Sequence, residues 1–444
     1  MSKIRNQIYL SKRFFISLLL VVALFILGYS FAWFYFAGRL ILLVFIVLTV
    51  SDFSWLFFNR GRLEVQRKLP ARLSLGDDNP ILVSIRSDLP MKISFEVIEE
   101  LPPQFQKRDF LVKGQLLPGE SYQLDYLLKP LTRGEYNFGY TNVYVSSVLG
   151  FIQQRIKGSE PETVAVYPSF ISMRKLELMA ISNRLEDVGV KRIRKVGLHS
   201  EFDQIREYVP GDDSRTLNWK ATARRATLMV NQYQDERSQQ VVSLIDMGRV
   251  MEMPFNGMAL LDYAINASLI ISNTAMFKHD RAGLITFSDQ IHSLVAPDRK
   301  GGHLQRILEV LYKQQTDFNE SSYEKLYATV SSKIRQRSLL ILYTNFEGMP
   351  SMRRQLPYLK KLAGKHLLLV VFFENTEVQQ LADARSRSLE EVYVHNIARK
   401  FIHDKKLMVR EMKRAGIMAL LTPPESLSVN LINKYLEIKA RELI

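Results

Sequence analysis

Residues 14–36 form a run of 23 positions without one formally charged side chain, and no other feature restricts the chain's folding as much. As a helix the run would extend about 35 Å, more than the roughly 30 Å of a bilayer's hydrocarbon core. Gly38 and Arg39 interrupt it with a flexible residue and a charge, so a turn is expected there. A second apolar run, 40–58, holds one acidic residue, Asp52, near its far end. Such a carboxylate sits at the lipid interface or pairs inside a helix bundle, with the interface the main expectation. A cleavable signal peptide has a shorter apolar core and no second run directly behind it. The sequence therefore predicts a transmembrane hairpin within residues 1–60, with spans at about 14–36 and 40–58. Lys3, Arg5, Lys12 and Arg13 precede the hairpin, and Arg60, Arg62, Arg67, Lys68 and Arg72 follow it. Positive flanks stay cytoplasmic, which predicts a bacterial inner-membrane protein with its soluble part in the cytoplasm. Trp33, Phe34, Tyr35, Trp55 and Phe57 suit the interfacial belts.

The 444 residues contain no cysteine, which excludes disulfides, thiolate catalysis and Cys-ligated metals. The net charge of +15 is dispersed rather than gathered into a basic arm. That distribution suits an anionic bilayer surface better than nucleic acid.

Residues 61–170 change in character. Short apolar alternations at 81–85, 92–97, 122–127, 142–145 and 163–167 are separated by turn signals such as Pro118-Gly119 and Arg133-Gly134. This spacing predicts an all-β sandwich. A polar, basic stretch at 172–195 reads as a linker or as a helix lying against the next domain. From 240 to 444 apolar strands alternate with amphipathic segments. Strands are expected at 241–245, 282–287, 339–343, 367–373 and 417–421, and helices at 259–278, 303–314, 323–337, 351–363, 376–415 and 427–443. The alternation predicts an α/β doubly wound parallel sheet, whose ligands bind beyond the carboxyl ends of the strands. There lie Asp246-Met-Gly248-Arg-Val250 and Thr344-Asn345-Phe-Glu-Gly348, with no phosphate loop or nucleophile elbow behind any strand.

Between these regions the segment 197–225 resembles the signature of a bacterial family of unassigned function. Arg206, Tyr208, Pro210, Gly211, Asp212, Asp213, Arg215, Trp219 and Lys220 carry the resemblance. Asn231 to Glu236, Arg133 to Tyr136 and Leu149-Gly-Phe151 extend it. That resemblance implies a von Willebrand A-like domain at 240–444, a signature segment at 171–239, and a MoxR-type AAA+ ATPase as partner. A von Willebrand A metal site uses Asp-x-Ser-x-Ser, a Thr and a later Asp. Here Asp246 stands, but Gly248, Val250 and Asn345 occupy ligand positions, and the loop at Gly301-Gly302-His303 offers no Thr. A hard cation needs several oxygen ligands together, so the resemblance implies a degenerate site and no cofactor.

From the residues alone, Pro210-Gly211-Asp212-Asp213 is turn chemistry whose carboxylates pair with Arg206, Arg215 or Lys220. Trp219 reads as a packing anchor or as an interface hot spot, with packing the main expectation. His199 and His303 read as surface or packing groups. The expected function is a non-enzymatic, membrane-anchored interaction adaptor. An extracytoplasmic binding module and a metal-dependent hydrolase built on Asp212, Asp213 and Asp246 are the alternatives.

Overall fold

The computed structural model describes residues 7–58, 62–107, 110–181, 200–210, 212, 214–235, 238–384, 388–441 and 443. The chain divides into two compact units, Met1–Tyr167 and Pro168–Ile444.

In the first unit the helices are Lys12–Gly28 and Ala32–Phe58. The turn therefore falls at 29–31, not at Gly38-Arg39 as the sequence predicts. Glycine at 28 permits the turn, because a Cβ there would lie 2.9 Å from the Tyr35 backbone nitrogen. Gly38 instead stays helical, with the Phe25 ring 3.5 Å from where its Cβ would be. Arg39 also stays helical, donating 2.9 Å to the Tyr35 hydroxyl and lying over that ring. Among the described residues one helix, Trp33–Phe58, is long and apolar enough to cross a membrane. Lys12–Gly28 has 17 residues and extends about 25 Å, short of the roughly 30 Å core. Both helices leave apolar side chains uncovered, Leu19 and Leu40 among them.

Asp52 departs from expectation. It is fully buried, and its Oδ2 accepts the backbone amides of Phe151 and Ile152, both at 2.9 Å. The Ser147 hydroxyl donates to the other oxygen. A carboxylate removed from water must collect donors, and the 147–152 loop supplies three. The same loop is held from the first helix, where the Ser11 amide donates 3.0 Å to Phe151 O. The Phe45 and Phe151 rings lie 5.5 Å apart. Leu149-Gly-Phe151 is thus where the β-rich region grips the helices.

That region contains a five-stranded sheet in the order Ile8–Leu10, Ile152–Lys157, Thr141–Ser146, Ile93–Glu99, Leu111–Leu116. A three-stranded sheet runs Leu63–Lys68, Asn79–Ser87, Ser121–Leu128. Inward residues of both, such as Phe95, Val97 and Val143 with Val65, Val83 and Ile85, share one core. A further small sheet is mixed, with Glu162–Tyr167 parallel to Arg72–Ser74 and antiparallel to Gly134–Phe138.

The second unit is built on a six-stranded sheet in the order Ile291–Asp298, Arg281–Phe287, Gln240–Asp246, Leu339–Tyr343, Leu367–Phe373, Met418–Thr422. Five strands are parallel and Ile291–Asp298 is an antiparallel edge. The sequence reading missed that strand because Pro297 argues against a strand and its burial barely alternates. Proline is tolerated at an edge. Gly283 lets it approach, since a Cβ there would lie 2.9 Å from the Pro297 ring. The helical stretch expected at 376–415 holds two helices, Thr376–Asp383 and Leu389–Arg414. Ser388 caps the second, accepting the Glu391 amide at 3.2 Å in a Ser-x-x-Glu arrangement. Within 171–239, Phe170–Ile181 is a helix packed on Leu260–Phe277, and residues 182–199 lie outside the described set. Ser200–Glu207 and Met229–Asp235 form an antiparallel ribbon around the short helix Trp219–Arg225.

Asp52→Ala strands two buried amides and a hydroxyl. It should destabilise the first unit by about 2–3 kcal/mol. Native-state hydrogen exchange in detergent should show the Phe151 and Ile152 amides exchanging faster while Val83 stays protected. Unchanged exchange at both would mean that Asp52 does not hold the loop.

Candidate functional site

Gln240–Asp246 and Leu339–Tyr343 are neighbouring parallel strands, with Ile245 opposite Tyr343. Their side chains are almost wholly buried, so both strands run through the core. The strand paired with Gln240–Asp246 on its other side is Arg281–Phe287, so the chain reverses direction across the sheet at this point. A cleft of about 730 Å³ opens there, lined by the residues after both strands, by 318–323 and by the first turn of the helix Met349–Lys365.

Asp246 forms the floor and has no exposed surface. Its Oδ1 accepts the Gly248 amide at 2.9 Å and the Ser321 hydroxyl. Its Oδ2 accepts the Thr344 hydroxyl at 2.6 Å. The Tyr323 hydroxyl lies 3.1 Å from Oδ2 and 2.7 Å from Thr344 Oγ1 and has one proton to share between them. Burial pushes the carboxyl up from its ordinary pKa, and the hydroxyl and amide donors pull against that rise. The Tyr323 phenol is pushed well up as well, by burial first and the Asp246 charge second.

Ser321 occupies the place where a side chain at position 248 would stand, and its hydroxyl meets the carboxylate from there. Its loop is pinned by Thr316 Oγ1 donating 2.7 Å to Met247 O and by the Arg249 amide donating 3.3 Å to Asn319 O. Val250 lines the cleft and contributes no oxygen ligand. Gly301-Gly302-His303 lies apart from it, with His303 buried and its Nε2 2.7 Å from Ala282 O. Among the described residues no three His, Asp or Glu side chains gather as a metal would require.

Asn345 closes the floor on one side. The ammonium of Lys405, from the helix Leu389–Arg414, reaches its side-chain oxygen and lies 2.7 Å from Phe346 O. Lys405 is 5% exposed, and burial draws its pKa down to about 8. Sequence reading missed this lysine because it lies 60 residues from Asn345 on a helix otherwise rich in exposed charges.

In the signature segment, Arg206 grips Asp212 through two parallel bonds of 2.7 and 2.9 Å, and the Val209 amide adds a third donor at 3.0 Å. The Arg206 guanidinium holds the Asp212 carboxyl below its ordinary pKa. The fork closes the turn after Tyr208, whose amide donates 2.8 Å to Leu228 O. Gly211 and Asp213, the side chain of Arg215, and His199 lie outside the described residues. Lys220 is exposed. Trp219, expected mainly as a packing anchor, is 69% exposed at the start of the helix that Asn218 caps. Val209 and Leu228 on the same module are also exposed.

Residues 204–399 match the model of a family described as "Protein of unknown function DUF58". The uncharacterized protein YeaD of Bacillus subtilis (strain 168) is 28% identical over 183 residues, covering 39% of this chain and 45% of that relative. The chain thus spans less than half of the curated relative it matches. Both similarities point to an uncharacterised bacterial family. Among solved structures, the conserved hypothetical protein BatB from Bacteroides thetaiotaomicron is 10% identical, with a TM-score of 0.31 over 46% of this chain and 100% of that one. The CARDB domain of a Pyrococcus furiosus protein is 16% identical, with a TM-score of 0.18 over 24% of this chain and 88% of that one.

Gly248→Ser should cost about 1–3 kcal/mol through its clash with Ser321. Adding Ser321→Gly should recover most of the loss, a coupling that chemical denaturation of both single variants and the double variant measures. Additive losses would mean that the two positions do not share one space. Between pH 8 and 10.5 the unfolded chain holds the Lys405 proton that the native chain has released. Stability therefore gains from this residue as pH rises across that window. Lys405→Met should remove the gain, seen as native and variant denaturation midpoints that diverge from pH 8 to 10.5 in favour of the native chain.

Proposed function

We propose that this chain is a membrane-anchored protein-interaction adaptor, working with a MoxR-type AAA+ ATPase in the assembly or remodelling of protein complexes and performing no catalysis itself. The observation that carries the proposal is the state of Asp246. It stands at the carboxyl end of a central strand, where a doubly wound sheet places its chemistry, and its oxygens are taken up by donors of its own chain. A carboxylate so enclosed is poorly placed to abstract a proton or hold a hard cation. This weighs against a hydrolase built on Asp246, and Asp212 is committed to Arg206.

The α/β unit is read here as a von Willebrand A-like domain retained for binding. Its support is the position of Asp246 at the carboxyl end of the strand Gln240–Asp246 and of Asn345 after the neighbouring strand Leu339–Tyr343. The helices Lys12–Gly28 and Ala32–Phe58 are read together as a two-span anchor, on the apolar side chains both leave uncovered. The basic flanks favour the cytoplasmic side for the rest of the chain. Exposed Trp219, Val209 and Leu228 around the Arg206–Asp212 fork offer a rigid apolar contact surface of the kind that anchors interfaces.

Affinity purification of the full chain from its native membrane in mild detergent, with ATP or a non-hydrolysable analogue, should recover an AAA+ ATPase. Recovery should fall at least about tenfold for Arg206→Ala combined with Trp219→Ala, with the variant still folded. No ATPase under either nucleotide condition would end the ATPase reading.

A further inference from the structure

The helix Ala32–Phe58 is longer than a bilayer requires. Its 27 residues extend about 40 Å, roughly 10 Å beyond a hydrocarbon core. The turns from Asp52 to Phe58 make up that excess, at about 1.5 Å per residue. These turns already have another environment. Leu56 is buried in the core shared by the five- and three-stranded sheets, and Phe53 and Phe57 pack against it. Those sheets are open, and their edge amides and carbonyls need water or polar partners, so the core stays outside the hydrocarbon. The helix therefore leaves the lipid near Asp52.

Asp52 is also where the 147–152 loop is held, and the other helix begins at the same level. Ser11, the N-cap of Lys12–Gly28, donates its hydroxyl to Gly150 O and its amide to Phe151 O. Ser11, Asp52 and the loop thus share one level, which is the edge of the membrane. The loop reaches below it. The Phe151 ring lies 5.5 Å from Phe45, which is about 10 Å toward the lipid from Asp52 along the helix. The Phe14 ring meets Phe45 at 5.2 Å. Within the loop Val148 is 65% exposed, and Leu10, paired with Ile152, is exposed as well. Lys12 and Arg13 are exposed beside it, and a Cβ at Gly150 would lie 3.2 Å from the Arg13 guanidinium. Exposure alone does not single out Val148, since Leu111 is 46% exposed on the same unit. Leu111 pairs with Ile98, however, whereas Ser146 at the start of the loop pairs with Ser94. That register puts Leu111 about 13 Å away along the strands.

We propose that the 147–151 loop is a membrane-inserted element of the β-rich unit, with Val148 and Phe151 in the hydrocarbon edge and Lys12 and Arg13 on the phosphates of anionic phospholipids. The proposal rests on the two-span anchor reading and adds to it a lipid contact made outside the helices. Charge supports it, because exposed cations at a membrane edge attract anionic headgroups. Length supports it too. Lys12–Gly28 extends about 25 Å and falls short of the core, and an apolar loop at its start makes up part of that deficit. Asp52 is a positioning residue, since its bonds to the Phe151 and Ile152 amides set how deep the loop sits.

The chain has no cysteine, so Val148→Cys, Leu40→Cys and Leu111→Cys each provide one attachment site for a nitroxide. The full chain is reconstituted in vesicles of phosphatidylethanolamine and phosphatidylglycerol. Power-saturation EPR then compares oxygen, which concentrates in lipid, with a nickel chelate, which stays in water. Labels at positions 40 and 148 should favour oxygen, and the oxygen-to-nickel ratio at 148 should exceed that at 111 about fivefold. Lys12→Gln with Arg13→Gln should cut the ratio at 148 by about half. The proposal is overturned if position 148 prefers nickel as 111 does while 40 keeps its oxygen preference, or if the neutral pair leaves 148 unchanged. It is also overturned if 148 is closed to both reagents and shows dipolar broadening between labels, since a second copy of the chain would then cover the loop. A preference for nickel at position 40 removes the two-span anchor itself, a failure distinct from the first outcome.

Discussion

A carboxylate with no access to water has to be surrounded by donors or give up its charge, and much of the α/β unit's upper face follows from how Asp246 meets that demand. Its donors come from separate stretches: Gly248 in the loop after its own strand, the loop that ends at Ser321, the helix that begins at Tyr323, and Thr344 just beyond the neighbouring strand. Meeting them fixes three loops that would otherwise be free at the edge of a sheet. Once Ser321 is drawn in, position 248 has room only for glycine. Once Thr344 is committed, the chain turns so that Asn345 lies under the helix carrying Lys405.

Buried charge does the same joining elsewhere in the chain. Asp52 ties the helix Ala32–Phe58 to the 147–152 loop, across nearly a hundred residues. Lys439 on the closing helix reaches both oxygens of Asp280 at 2.9 Å, and Tyr435 donates to the same carboxylate at 2.5 Å. Arg67 and Glu99 lie 3.0 Å apart in the β-rich region, where the Thr141 hydroxyl supplies a further donor at 2.7 Å. Burial still pushes the Glu99 carboxyl upward despite these partners. Such pairs add little net stability over well-packed apolar residues, but losing one partner is costly. Their effect is geometric, since each holds together segments that apolar contact alone would allow to slide.

Strand positions were legible from the sequence because alternation and unbroken apolar runs are local properties. The runs at 339–343 and 367–373 coincide with observed strands. Errors arose where a contact distant in sequence overruled a local signal. Glycine at 38 reads as a turn, yet it is a contact point for Phe25, and the turn follows Gly28 instead. Asp52 within an apolar run reads as interfacial, and only the 147–152 loop makes burial tolerable. Pro297 reads against a strand until its edge position is known. The break at 384–388 was legible in principle from Ser388 and Glu391, a local capping pattern. At the candidate site Asp246 and Asn345 could be found by their place after strands. Ser321, Tyr323 and Lys405 could not, because nothing local marks a serine, a tyrosine or a lysine as the partner of a particular loop.

Trp219 raises the opposite question to a buried charge. Fully burying such a ring is worth about 25 cal/mol for each Å² of apolar surface removed from water, and here 69% of the residue stays exposed. The fold therefore gains little from the largest side chain in the signature segment. The turn beside it does not depend on that ring either, because the Arg206–Asp212 fork and the Val209 amide already close it. A tryptophan left outside a module held rigid without it contributes most where a second surface covers it. That cost in solvation is recovered only in a complex.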